Sequence, residues 1–456
     1  MDEWTQNVIY YPMVKHPLDE EKDELKRKYI ALVNKYADGI NEEFTGLKLK
    51  VLYKVLYGKD GFEWTDGRAQ YSKGIETAVL KTRFSPFRFF SYRYVFLFDV
   101  LLLFAVDDRE KGFLICEEFK RHVHMRYHKK IDMMVSLMYE DKGAFAEKTL
   151  ITNEMIQCWL DIRHYIKTVN REIVFTATMS AGKSTLINAI IGNNLSGTKK
   201  AACTSVVIKF HSTPARGDLY NLSDETKQCY CQTVSAIQEF VRDEKVSFEI
   251  TGYFNSVLSG ERFTLIDTPG VDSQLYPEHK KITKAALVEK EIETLVYVIP
   301  VETYGSDRDV NHLNFIAKKV SYNKIIFVIN MMDTIDEEDD SVEDIVADVR
   351  SHLEELGFEN PDVYPVSAKA GLLLKQALVG MDLTSNEEDS KRECCRLFLK
   401  PEYGLAKYYP SISEAETEVL SRKYYRNHNE SLWEAFLNTG LPGLEKVLFN
   451  MNRKDG

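Results

Sequence analysis

No stretch of this sequence is both long and apolar enough to span a bilayer as one helix. The most apolar run, Tyr94 to Val106, is 13 residues with Asp99 inside it, whereas a spanning helix needs about 20. It reads as a buried helix, with insertion into a membrane surface as the alternative. Paired cysteines are scarce too. There are seven, an odd number; Cys229 and Cys231 form a C-x-C, Cys394 and Cys395 are adjacent, and neither pair has a partner pair at zinc-site spacing. A reduced, cytosolic protein is expected. A basic excess is also missing: 59 Lys and Arg face 70 Asp and Glu, a net charge of −11, which weighs against a general nucleic-acid binder. The first 170 residues are close to neutral, so the acidic excess lies in the remainder. No basic segment followed by an apolar one opens the chain, so no secretory leader is expected.

What is present falls into two patterns. After Pro17, Leu25, Tyr29, Leu32, Val33 and Tyr36 keep a 3.6-residue period up to Gly39, which predicts a helix, and few turn signals interrupt the aromatic-rich segments that follow. From Ile173 the pattern changes. Ile173–Phe175, Phe263–Ile266, Thr294–Ile299, Lys324–Ile329 and Val363–Val366 are short apolar runs of the kind that form buried parallel strands. Helices are expected between them: Ser184–Ile191 stopped by Gly192, Asp307–Lys319, and one opened by Ser341-x-x-Asp344 with Val342, Ile345, Val346, Val349, Leu353 and Leu356 on one face. The expected architecture is an all-α domain over residues 1–165 followed by an α/β domain with a mostly parallel sheet over 166–456.

Four motifs carry chemistry. Ala177-Thr-Met-Ser-Ala-Gly-Lys-Ser184 matches a phosphate-binding loop except that Ala177 replaces the first glycine. Backbone N–H groups of such a loop, here Ser180 to Thr185, cradle phosphate oxygens, Lys183 faces the β/γ-phosphates, and the Ser184 hydroxyl suits magnesium. Asp267-Thr-Pro-Gly270 ends an apolar run, where Asp267 can hold magnesium through water and the Gly270 amide can meet a γ-phosphate. Asn330-Met-Met-Asp333 is close to N-K-x-D, whose carboxylate accepts two hydrogen bonds from a guanine edge; Met331 stands where that motif has lysine and can still lay an aliphatic stem along the base. Ser367-Ala368-Lys369 is close to the S-A-K loop that also meets guanine. All four follow strand-like runs in the order of a guanine-nucleotide site, at the strand ends where open parallel sheets bind ligands. They imply GTP or GDP with Mg2+.

The loop Met179–Thr185, with Asn188-Ala-Ile-Ile-Gly192 behind it, resembles the dynamin superfamily, especially its bacterial members. Ala202-Cys-Thr-Ser205 is similar to the family's switch I, and Leu441-Pro-Gly-Leu444 to the start of its last GTPase-domain helix. The separation of 84 positions from Lys183 to Asp267 suits an enlarged GTPase. The resemblance covers about residues 170–450. It implies a large, low-affinity GTPase that dimerises across the nucleotide face, with dimerisation stimulating hydrolysis, and whose members often act on membranes. On this resemblance Ser180, Lys183, Thr204 and Gly270 serve catalysis; Ala181, Gly182, Lys183, Ser184, Thr185, Asp267, Asn330, Asp333, Ser367, Ala368 and Lys369 hold the nucleotide; and Ser184, Thr204 and Asp267 hold the metal. Met179 stands where the family often has a glutamine that orients water, which points to slow hydrolysis or to another group in that role. The family's stalk uses helices on both sides of the GTPase domain, and Gly456 leaves no room for the returning half. Three alternatives follow from this: the chain continues, the N-terminal helices serve alone, or a second helical chain or a protein partner for residues 1–165 supplies the missing helices.

Two alternatives stay open: a slow GTP-binding switch whose helical domain captures a partner, and an RNA- or ribosome-associated GTPase. Lys81 to Arg93 interleaves bases with aromatics, which suits a helix–helix contact with snorkelling arginines, single-stranded nucleic acid or an anionic membrane. His124 and His128 are four apart, a metal-pair spacing on a helix, though a solvated basic face with Arg126, Lys129 and Lys130 explains them as well. Asp336–Asp340 reads as a solvated loop. The protein is expected in the cytoplasm, with peripheral membrane contact left open.

Overall fold

A computed structural model describes residues 16–39, 52, 56, 92–140, 151, 153–196, 206–214, 220–224, 228–243, 247–256, 261–270, 277–289, 291–335, 341–411 and 429–450. The chain divides into two compact units, residues 1–168 with 213–218, and residues 169–212 with 219–456.

In the first unit the 3.6-residue period becomes α1 (Asp23–Gly39), and the apolar run becomes α2 (Arg93–Ala105). Tyr29, Val33 and Tyr36 of α1 are buried, as is nearly all of α2. Asp99, the one charge in that run, is fully buried but not isolated. Its Oδ2 accepts from Tyr29 OH and meets His16 Nε2 at 3.0 Å. His16 Nδ1 accepts from the Leu18 amide at 3.0 Å, which leaves Nε2 as the protonated nitrogen that donates to Asp99. Oδ2 of the buried carboxylate is thus doubly partnered, as a low-dielectric interior favours, while Oδ1 is buried with no hydrogen-bond partner among the described residues. α3 (Arg109–Arg121), capped by Asp108, and α4 (His128–Tyr139) follow, then α5 (Asn153–Lys167), whose Trp159 donates to the Met138 carbonyl at 2.8 Å. His124 and His128 do not share a helix face. His124 caps the short 3-10 turn Met125–Tyr127, and His128 opens α4 with its ring toward the Val123 carbonyl, so the helical spacing read from sequence is not realised. Among the described residues no group of three or more metal-binding side chains forms, and no helix is long and apolar enough to cross a membrane. Residues 81–91 lie outside the described residues.

The second unit is an α/β P-loop fold built on a nine-stranded sheet. Its strands are β1 (Arg171–Ala177), β2 (Ile208–Ser212), β3 (Tyr220–Ser223), β4 (Gln228–Gln232), β5 (Phe248–Gly252), β6 (Phe263–Asp267), β7 (Ile292–Pro300), β8 (Tyr322–Asn330) and β9 (Val363–Pro365). Their order is β4-β3-β5-β2-β6-β1-β7-β8-β9. From β6 to β9 every neighbouring pair is parallel. The other side departs from the expected parallel pattern: β2 runs antiparallel to β6, and β3 antiparallel to both β4 and β5. Burial differs between β7 and β3. Leu295–Ile299 in β7 are fully or almost fully buried, as a doubly covered strand must be, whereas β3 alternates buried and half-buried residues.

Among the described residues, the helices of this unit are α6 (Lys183–Ile191), α7 (Val234–Asp243), α8 (Pro277–Val288), α9 (Asp307–Lys319), α10 (Val342–Glu355), α11 (Ala368–Leu378), α12 (Ser385–Phe398), α13 (Glu430–Asn438) and α14 (Leu441–Asn450). α9 has the bounds expected from sequence. Ser341 caps α10 by accepting from the Asp344 amide, and Val342, Ile345, Val346, Val349 and Leu353 are buried. α12 begins with a full capping box, Thr384 and Glu387, which the sequence reading did not single out. Because β6, β1, β7, β8 and β9 run the same way, their carboxyl ends all open on one edge, and the site lies there.

Candidate functional site

The loop after β1 turns through two left-handed residues, Ser180 (φ 65°) and Gly182 (φ 78°), before α6 begins at Lys183. Gly182 is required twice over. Its φ favours glycine, and a Cβ there would sit 2.3 Å from Asn330 Nδ2. Ala177 is different: it is the last residue of β1, fully buried and without positive φ, so a methyl group replaces the motif's first glycine without strain. The loop amides then face a helix N-terminus, the setting for an anion.

Lys183 and Asp267 are brought together although 84 residues apart. The ammonium donates to Asp267 Oδ1; Lys183 is 6% exposed and Asp267 fully buried. Asp267 Oδ2 accepts from two hydroxyls, Ser184 Oγ at 3.0 Å and Ser196 Oγ at 3.0 Å. Register places Asp267 beside Phe175 at the end of β1, and Thr268 fixes the next turn by donating to the Phe175 carbonyl at 2.7 Å. Gly270 packs against the phosphate loop: a Cβ on it would lie 3.2 Å from Met179 Cα. Met179 itself is 38% exposed.

The far side of the site is organised by Asn330. Its Nδ2 donates to the Ala181 carbonyl at 3.1 Å, and its Oδ1 accepts from the Ala368 amide at 3.1 Å. One side chain therefore ties three of the four motifs together. Met331 turns through the left-handed region (φ 68°), and Asp333 receives the Ser367 hydroxyl at 2.6 Å. Ser367 also caps α11 by accepting from the Ala370 amide. Lys369 is exposed beside this loop and Thr185 is half-buried on α6. Cys394 of α12 lies nearby. Burial pushes its thiol up to about 11, and the Asp333 charge adds to the rise while Lys369 offsets part of it.

The structure thus gathers Ser180, Ala181, Gly182, Lys183, Ser184, Thr185, Asp267, Gly270, Asn330, Asp333, Ser367, Ala368 and Lys369 at one edge of the sheet. Thr204, and with it the similarity to a switch, lies outside the described residues, as does Asp336–Asp340. The donor set suits a hard divalent cation: one carboxylate and one hydroxyl, Asp267 and Ser184, stand side by side with no soft ligand.

Two features had no sequence signal. Ser196 belongs to no motif, yet its hydroxyl reaches Asp267. Lys375 of α11 is fully buried; it donates to the Ala189 carbonyl at 2.6 Å, at the carboxyl end of α6, and to Glu445 of α14, which is equally buried. Desolvation lowers the Lys375 pKa, and the Glu445 carboxylate opposes the fall. No periodicity distinguishes this lysine from a surface one.

Residues 173–332 match the family model described as Dynamin family. A protein of Caldicellulosiruptor encoded in the xynA 3′ region, itself uncharacterised, is 26% identical over 276 residues, covering 58% of this chain and 63% of that protein. Dynamin-like protein A of Bacillus subtilis is 26% identical over 197 residues, covering 42% of this chain and 16% of its own length. The chain therefore spans less than two thirds of either relative. Among solved structures, an Era variant of Aquifex aeolicus bound to GDP and aluminium fluoride overlaps 43% of this chain and 51% of its own, at 18% identity and a TM-score of 0.27. An oligomerised bacterial dynamin pair, described as sensing and tethering membranes, overlaps 93% of this chain and 63% of its own, at 11% identity and a TM-score of 0.35.

Proposed function

Residues 173–332 belong to a dynamin-family GTPase domain, and from that premise we propose that the protein binds GTP with Mg2+ and hydrolyses it to GDP and phosphate, in a nucleotide-controlled dimer. The carrying observation is the Lys183–Asp267–Ser184 cluster, a buried cation and carboxylate joined by a half-buried hydroxyl at the N-terminus of α6. Lys183 neutralises phosphate charge, the loop amides of Ala181 to Thr185 hold phosphate oxygens, and Ser184 and Asp267 hold the metal. Magnesium, when bound, screens the charge of the β- and γ-phosphates. Asp333 accepts from the guanine edge and rejects adenine, which offers no matching donors. The Gly270 amide faces the γ-phosphate, with Ser180 and Thr204 completing catalysis.

The test is GTP against ATP turnover at rising protein concentration. GTP-selective turnover per molecule that climbs with concentration is expected; absence of turnover at every concentration, with magnesium present, refutes the enzyme reading.

A slow switch is the second reading, and Met179 favours it: a thioether at this exposed loop position cannot hold a water by hydrogen bonding as an amide would. Nucleotide bound tightly without turnover, with a partner captured by the helical unit, is its signature. That unit also suits an anionic membrane. In the connection between α3 and α4, Met125 is 76% exposed, and Arg126, Lys129 and Lys130 beside it are exposed. Sedimentation with vesicles of anionic against neutral lipid checks this contact, and equal or no binding to both rules it out.

A further inference from the structure

Asp267 has three side-chain partners, and the GTPase reading reassigns two of them. Lys183 turns to phosphate and Ser184 to the metal. The third, Ser196, has no part in either task. We infer that Ser196, itself held by Asn188, is a positioning residue that keeps the Asp267 carboxylate aimed at the magnesium when its other two partners leave. The inference rests on the GTPase reading and adds to it a residue no motif contains.

The geometry follows from α6. Asn188 lies four residues after Ser184, one turn along the same helix face. The Asn188 side chain is fully buried, and every hydrogen bond it makes goes to the turn beyond the helix. Its Oδ1 accepts from the Leu195 amide at 3.0 Å and the Ser196 amide at 2.8 Å, and its Nδ2 donates to the Ser196 carbonyl at 3.0 Å. Gly192, at φ 87°, lets the chain fold back into this grip. Ser196 is thereby fixed at its backbone on both sides. Its hydroxyl, on a residue 3% exposed, carries one proton and gives it to Asp267 Oδ2 at 3.0 Å.

The backbone grip and the hydroxyl are separable. Asn188 holds the turn through main-chain atoms, so the turn does not need the hydroxyl. What the hydroxyl adds is orientation of a carboxylate, and outer-shell partners of this kind are typically worth about 10- to 100-fold in metal affinity.

The experiment uses the full chain as native protein, Ser196→Ala and Ser196→Thr. Binding of a fluorescent GDP analogue is followed as Mg2+ is added to protein stripped with EDTA, and GTP turnover is measured over the same Mg2+ range. Ser196→Ala is expected to raise the Mg2+ midpoint about tenfold or more in both assays, with nucleotide affinity in EDTA essentially unchanged and the unliganded melting temperature modestly lowered by the lost bond to Asp267. Ser196→Thr, which keeps the hydroxyl, is expected to bring the midpoint most of the way back. A Ser196→Ala midpoint equal to native, or a Ser196→Thr midpoint as displaced as that of Ser196→Ala, overturns the positioning role. A native protein that neither hydrolyses GTP nor changes nucleotide affinity with Mg2+ removes the GTPase reading and this role with it; a native response with an unmoved Ser196→Ala midpoint removes this role alone.

Discussion

The Ser367 hydroxyl donates to Asp333 Oδ1 across 2.6 Å, joining the third motif to the fourth. The same hydroxyl oxygen accepts from the Ala370 amide, so one atom both orients the carboxylate and caps α11. Ser367→Ala should therefore cost about 1 kcal/mol of stability through the lost cap. It should also weaken GTP binding by roughly fivefold as Asp333 gains freedom, the equivalent of about 1 kcal/mol. Isothermal titration with GTP and ATP checks it: a variant whose preference for GTP over ATP matches native shows that Ser367 does not serve Asp333.

Lys183→Ala should abolish turnover and also lower the melting temperature of the nucleotide-free protein. Removing the ammonium leaves Asp267 charged and fully buried with only two hydroxyl donors, a loss of about 3 kcal/mol for a broken buried pair. Adding Asp267→Asn to Lys183→Ala should recover part of that stability and none of the activity. If the single variant melts with the native protein, the pair contributes nothing to the unliganded fold.

Met179 packs beside Gly270 at the head of the phosphate loop. Met179→Gln supplies an amide that can hold a water, and kcat should rise about tenfold or more with KM nearly constant. A fall in kcat, or a change confined to KM, places the rate limitation elsewhere.

On the β2–β5 pair, Glu249 accepts from His211 and Lys209, and these partners lower its carboxyl to about 2 against burial that works the other way. A carboxylate whose folded pKa is depressed stabilises the fold above its unfolded value and loses that contribution as pH falls from about 4.5 to about 2. Glu249→Gln should melt below native at pH 6, and the gap should close as pH approaches 2. The gap will be modest, since the Glu249 side chain is 36% exposed. A gap that persists unchanged at low pH assigns it to packing rather than charge.

The parts of the site that could be read from sequence are those attached to strand ends. Asp267, Asn330 and Ser367 follow continuous apolar runs, and parallel pairing of β6, β1, β7, β8 and β9 then carries them to one edge. What could not be read depends on tertiary contact without local pattern. Ser196 meets Asp267 across 71 residues. Lys375 has the sequence of a surface charge and is fully buried. The antiparallel pairing of β2 with β6, and of β3 with β4 and β5, was not legible because β3 and β9 alike are short, but only β9 follows an apolar helix period that frames it. His124 and His128 show the opposite failure: their spacing is right for a helix face, and a 3-10 turn intervenes.

The Lys375–Glu445 pair also sets a lower limit on any excised GTPase fragment. Glu445 lies on α14, while the ammonium it neutralises sits at the carboxyl end of α6. A piece trimmed before residue 445 would enclose the Lys375 ammonium without the Glu445 carboxylate that faces it, directly under the phosphate-binding helix. Such a piece should be recovered in poor yield and prone to aggregate, and a Lys375→Met change made in the same trimmed piece should repair it.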